Sequence, residues 1–117
     1  MNGKPKRVPA DFYRSKTGVE PVRDWLKSLT KEDRFRIGSD IKTVEYGWPI
    51  GMPTCRYLGN GLYEVRTSLQ NRISRVIFCI YDGQMVLLHG FIKKAQRTPQ
   101  ADLNLARSRK RMLESAS

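Results

Sequence analysis

Leu62-Tyr-Glu-Val-Arg-Thr-Ser-Leu-Gln-Asn-Arg-Ile-Ser-Arg-Val-Ile-Phe-Cys-Ile-Tyr-Asp-Gly-Gln-Met-Val-Leu-Leu-His-Gly-Phe-Ile-Lys93 reads as three consecutive antiparallel strands. β-branched and aromatic residues recur through it in short apolar runs broken by turn residues. Asp82-Gly83 is a strong signal for a two-residue hairpin, because such a turn needs positive φ at both central residues; Gln70-Asn71 is a weaker one. The expected strands are Leu62–Leu69, Ile73–Tyr81 and Met85–Lys93.

Those turns set a register. A two-residue loop at Gln70-Asn71 pairs Leu69 with Arg72 and Arg66 with Arg75, and the second hairpin then pairs Arg75 with Gly90. Side chains alternate across a strand, so Glu64, Arg66 and Arg75 are expected on one face, Gly90 leaves room beside them, and Lys94 continues that face. Two arginines opposed across a hairpin repel, which makes sense where an anion lies between them. The same residues also suit a solvated outer face, with Glu64 paired to Arg66 or Arg75. The other face takes Val65, Val76, Phe78, Ile80, Leu87 and Phe91 as core. His89 falls there opposite Val76, where a hydrogen-bonded core histidine and a proton-transfer group are both compatible with the pattern.

Upstream, residues 8–14 suit a short edge strand because of Pro9. Pro21 starts a helix with Val22, Trp25, Leu26 and Leu29 on one side. Thr30 and Asp33 resemble a capping box for a second helix carrying Ile37, Ile41 and Val44, stopped by Gly47-Trp48-Pro49. The two are expected as an antiparallel helical hairpin with one apolar seam. Residues 49–61 read as loop, with a brief strand at Tyr57-Leu58. Downstream, Thr98-Pro99 opens a basic helix as cap and first-turn proline, running to about Leu113 with Leu103, Ala106, Lys110 and Leu113 along one side. The fold class is therefore α+β, in a single domain over 1–117.

Charge narrows the partner. Lys and Arg number 22 against 11 Asp and Glu, a net +11 in 117 residues. Such an excess opposes compaction and points to a polyanion, nucleic acid first. Lys93, Arg97, Arg107, Arg109, Lys110 and Arg111 are the candidate RNA-binding residues, against the one acid Asp102 in that stretch. No segment approaches the ~18 apolar residues of a membrane span, and the basic Met1–Val8 has no apolar run behind it, so no signal peptide is expected. Cys55 and Cys79 lack neighbouring ligands, which argues against a metal site and for reduced thiols in the cytoplasm. No phosphate loop or Ser-His-Asp pattern competes, and no cofactor is implied.

Leu58-Gly-Asn-Gly-Leu-Tyr-Glu-Val-Arg66, Arg75-Val-Ile-Phe, Leu87-Leu-His-Gly-Phe-Ile-Lys-Lys94 and Thr98-Pro99, in this order, resemble HigB-type toxins of the RelE/ParE superfamily from phage-related toxin–antitoxin loci. Asp11-Phe-Tyr and Trp25-Leu-Lys-Ser-Leu29 fit the same family, so the likeness spans residues 8 to 113. It implies a RelE-like fold: a curved antiparallel sheet with two N-terminal helices and a C-terminal one. It also implies a metal-independent endonuclease cutting mRNA on the ribosome by 2′-hydroxyl attack, restrained by a helix-turn-helix antitoxin resembling HigA. By position, Arg66, Arg75 and Lys94 match the family's cations, Glu64 is the candidate base and His89 a further candidate. Some RelE toxins carry a tyrosine on the C-terminal helix where Gln100 and its neighbours stand here. ParE-like gyrase inhibition, or a binding module without catalysis, are the competing readings.

Overall fold

The computed structural model describes residues 4–93 and 97–116. In chain order they form β1 (Ala10–Phe12), α1 (Pro21–Lys27), α2 (Lys31–Gly47), β2 (Cys55–Gly59), β3 (Leu62–Leu69), β4 (Arg72–Tyr81), β5 (Gln84–Lys93) and α3 (Gln100–Ser115). One five-stranded sheet runs β1-β5-β4-β3-β2. The α+β class and the RelE-like arrangement hold, with one refinement: β1 joins β5 in parallel, so the sheet is mixed. No helix among the described residues is long and apolar enough to cross a membrane.

Local chemistry explains the element ends. Pro21 occupies the first turn of α1, where a missing N–H costs nothing. The Thr30 hydroxyl accepts from the Asp33 N–H at 3.1 Å, capping α2, and Arg72 reaches back to the Asp33 carboxylate at 3.0 Å. Asp82 and Gly83 both take positive φ, as their hairpin turn requires, whereas in the first turn only Asn71 does. Thr98 departs from its expected role: its hydroxyl is spent on Glu64 at 2.8 Å, and Pro99 becomes the residue preceding α3.

The helical hairpin expectation also changes. Instead of sharing a seam, α1 packs on β5 and α2 on β3. Val22, Ile37 and Val44 are essentially inaccessible and join Val65, Val76, Phe78 and Leu87 in one core layer. Each such side chain contributes about 1.5–3 kcal/mol relative to exposure, and the sheet supplies the surface that buries them.

The opposite face is not solvated. Leu62, Ile77, Cys79, Val86, Leu88 and Phe91 pack there under Leu103, Ala106 and Leu113 of α3. A β-bulge creates this arrangement. Ile77 pairs with His89 but Phe78 pairs with Leu87, so Leu88 is the extra residue. Beyond it every β5 side chain changes face relative to the simple alternation. Arg75 consequently opposes Phe91, while Gly90 opposes Val76 on the α1 side. Phe91, expected in the helical core, lies under α3 instead.

Gly90 sits against the Trp25 ring, whose Cε3 and Cζ3 occupy the place a Cβ would take. Gly90→Ala is expected to cost about 1–3 kcal/mol in urea denaturation, the usual range for overpacking. In a Trp25→Leu background that added cost should shrink; an equal cost in both backgrounds would mean the ring is not the obstacle.

Candidate functional site

The α3-facing side of the sheet divides into an apolar end and a charged end. At the charged end Arg66 pairs with Arg75, as the first hairpin dictated, and Glu64 pairs with Arg56 across β2. Glu64 and Arg75 are both inaccessible, and the Arg66 side chain is 16% exposed. What covers them is the segment entering α3. Arg75 Nη1 donates to the Arg97 carbonyl at 3.0 Å, and Thr98 Oγ1 donates to Glu64 Oε1 at 2.8 Å. Arg66 Nε stands 4.0 Å from Glu64 Oε2, an oxygen that accepts no hydrogen bond among the described residues.

The electrostatics follow. Burial lowers the Arg75 guanidinium's affinity for its proton, and Arg66 and Arg56 push the same way, while Glu64 opposes them. An arginine stays charged through such a shift. One carboxylate therefore faces three guanidinium groups, and the excess positive potential emerges where Arg56 and Arg66 reach the surface. Arg56 was not singled out from sequence because residues 49–61 read as loop; only its place in β2 reveals it.

The bulge brings two more residues to this face. His89, expected toward the helical core, instead lies on the α3 side, with Nε2 at 2.7 Å from Asp102 Oδ1. Lys93 Nζ donates to Asp102 Oδ2 at 2.8 Å. Burial pushes the Asp102 carboxyl up, but hydrogen bonds from Lys93 and His89 outweigh it and hold the carboxylate below the ordinary Asp value. The His89 ring stacks on Phe91 at 5.5 Å. Lys94 lies outside the described residues, and Gly90 is on the opposite face from the arginines. Asp102 carried one sequence signal, that of being the sole acid in a basic stretch.

The α3 cations divide by role. Arg109 Nη1 donates to the carbonyl of Leu88 at 2.8 Å, satisfying a group at the bulge where the ladder is disrupted, and its guanidinium lies 5.9 Å from the Tyr13 ring centre. Burial lowers its proton affinity, with Tyr13 opposing. Arg107, Lys110 and Arg111 surround a pocket of about 150 Å³ with Asn60 of the β2–β3 turn. Lys93 and Arg97 are exposed at the rim of the charged end. Burial pushes the Cys55 and Cys79 thiols up to about 11, so neither supplies a thiolate near neutrality. Among the described residues no three His, Cys, Asp or Glu side chains gather as metal ligands.

A family model described as phage derived protein Gp49-like matches residues 24–111, a span that covers β2 to β5 and α3 as far as Arg111. No curated protein matches the chain.

The Asp102 cluster predicts a pH dependence. A carboxyl whose folded pKa is depressed stabilises above its unfolded value and loses that contribution as pH falls through the folded value. Asp102→Asn should therefore lower the urea midpoint at pH 7, and the gap from the parent should close below the ordinary value of 3.8. A gap that persisted at pH 2 would show that the charge on Asp102 is not what holds α3.

Proposed function

Because the chain belongs to the Gp49-like family of phage-derived proteins, within the RelE/ParE-like toxin superfamily, we propose that it is a HigB-type mRNA endonuclease acting on the ribosome. Family membership carries the coarser part: a toxin of a toxin–antitoxin system, with an antitoxin as partner. The antitoxin in this reading is a helix-turn-helix protein that masks the basic face.

One observation supports the reading above others. The Leu88 bulge puts the chain's one imidazole on the same sheet face as Glu64, Arg66 and Arg75. Asp102 engages His89 Nε2, which leaves Nδ1 to exchange protons, the geometry of an oriented acid–base group. In the proposed reaction the RNA 2′-oxygen loses its proton to a base and attacks the adjacent phosphorus. The bond from phosphorus to the 5′-oxygen breaks, and that oxygen takes up a proton. The products are a 2′,3′-cyclic phosphate and a 5′-hydroxyl end.

The roles follow from exposure. Arg66 and Lys93 contact the phosphate as it gains charge, and His89 moves the protons. Arg75 is inaccessible, so it acts from beneath, supplying field and holding the Arg97 carbonyl. Glu64 orients Arg66 and Thr98, and in this reading takes the 2′-proton only if the covering segment moves. Arg97, Arg107, Lys110 and Arg111 hold flanking phosphates, whereas Arg109 is committed to the bulge.

In a translating extract the chain should cut mRNA within codons, and a 2′-deoxy substitution at the cut position should abolish cleavage. His89→Gln and Arg66→Ala should each retain the fold by circular dichroism and lower cleavage by about 100-fold or more, the usual worth of one proton-transfer group. Growth arrest with intact transcripts and blocked gyrase would overturn the reading, as would full activity in either variant.

A further inference from the structure

A second recess adjoins the charged end at Arg66, between α2 and the part of β3 that extends past β2. This cleft measures about 510 Å³ and is lined by Phe35, Asp40, Met52, Arg66 and Thr67 among others. Its lining is chemically unusual in three ways. Phe35 is 75% exposed and Met52 60%, so an aromatic ring and a thioether in one cleft stand open to solvent. Asp40 is half-buried, yet its carboxylate makes no ion pair or hydrogen bond with any described residue, in a chain carrying a net +11. Thr67 is only 3% exposed, and its hydroxyl has no hydrogen-bond partner among the described residues; the Ser74 hydroxyl, its neighbour across the hairpin, has none among them either.

A buried hydroxyl without a partner costs about 1–3 kcal/mol, and an exposed aromatic beside it has no structural return. A flat guest with polar edges satisfies both. The cations do not invite a basic guest, since the whole molecule would repel it. Single-stranded RNA offers the matching shape: unstacked bases lie on aromatic rings and are read along their Watson–Crick edges. A carboxylate is acceptor-only and presents two oxygens side by side. Among the four bases, guanine is the one that shows two parallel N–H donors on that edge, from N1 and the 2-amino group.

We propose that the cleft between α2 and β3 is a guanine subsite for the RNA strand, with Asp40 reading the N1–H and 2-amino donors, Phe35 stacking on the base and Thr67 hydrogen-bonding its remaining edge. The proposal rests on the nuclease reading for its placement: Arg66 borders both the cleft and the charged end, so a base held here lies next to a phosphate held there.

The test separates binding from cutting. Trinucleotides with 2′-O-methyl riboses cannot be cleaved by 2′-attack, and they carry guanine, hypoxanthine or adenine at the centre. By fluorescence anisotropy at one fixed salt concentration, the guanine probe should bind the full chain about tenfold tighter than the hypoxanthine probe, which differs only in lacking the 2-amino group. Asp40→Asn should erase that difference, and Phe35→Ala should weaken all three probes. In the translating extract, Asp40→Asn should still cut while losing preference for guanine beside the cut. Equal binding of guanine and hypoxanthine probes by the parent would overturn the subsite even if the chain proves to be a nuclease. Discrimination without any mRNA cleavage would retain the subsite and remove the nuclease. Antitoxin binding that buries Phe35 and Met52, with no discrimination among probes, would reassign the cleft to the protein partner and overturn the proposal.

Discussion

Leu88 is one residue more than the pairing of β4 with β5 needs, and both layers of the molecule are arranged around that surplus. On the α1 side, the shift turns Gly90 inward, where its missing side chain admits the Trp25 ring. On the α3 side, it turns His89, Phe91 and Lys93 toward the last helix, where Asp102 takes both the imidazole and the ammonium. Disruption of the ladder is made good by Arg109, which donates to the Leu88 carbonyl. Bulges that re-aim a side chain beside a functional surface are a recurrent use of this irregularity.

The charged end shows how a strongly basic chain tolerates two opposed arginines. Arg75 is enclosed rather than left to solvent, and Glu64 is enclosed with it. Two buried ions of opposite sign do not guarantee stability, because desolvation offsets much of their attraction. Their further contacts, to the Arg97 carbonyl and the Thr98 hydroxyl, tie the entry of α3 to the sheet. The helix is thereby held at both ends of its sheet contact: by apolar packing of Leu103, Ala106 and Leu113, and by this polar anchor. Surface charge remains on Arg56, Arg66, Lys93 and Arg97, where a phosphate chain can meet it.

Much of this was legible in the residues. The strand limits of β3, the capping of α2 by Thr30, the apolar stripe of Ile37, Ile41 and Val44, and the Arg66–Arg75 pair all follow from local rules: turn chemistry, capping and period. The misreadings along β5 share one cause. Strict alternation carried His89 and Phe91 to the helical core and Gly90 to the arginines, because no single residue in Val86-Leu-Leu-His-Gly90 announces an insertion. Arg56 escaped notice for a related reason: β2 is a strand by virtue of β3, and its own composition of Gly and Pro neighbours reads as loop.

Sequence alone determined the class of fold, the sign and size of the charge, the hairpin that opposes two arginines, and the resemblance to a toxin family. These depend on nearest neighbours along the chain or on sums over it. Tertiary structure decided which face each β5 residue serves, that Thr98 holds Glu64 instead of capping α3, and that Asp40 and Thr67 line one cleft without side-chain partners among the described residues. Those outcomes depend on packing between elements remote in sequence, where the shape of a Trp25 ring or the need of a Leu88 carbonyl outweighs any local preference.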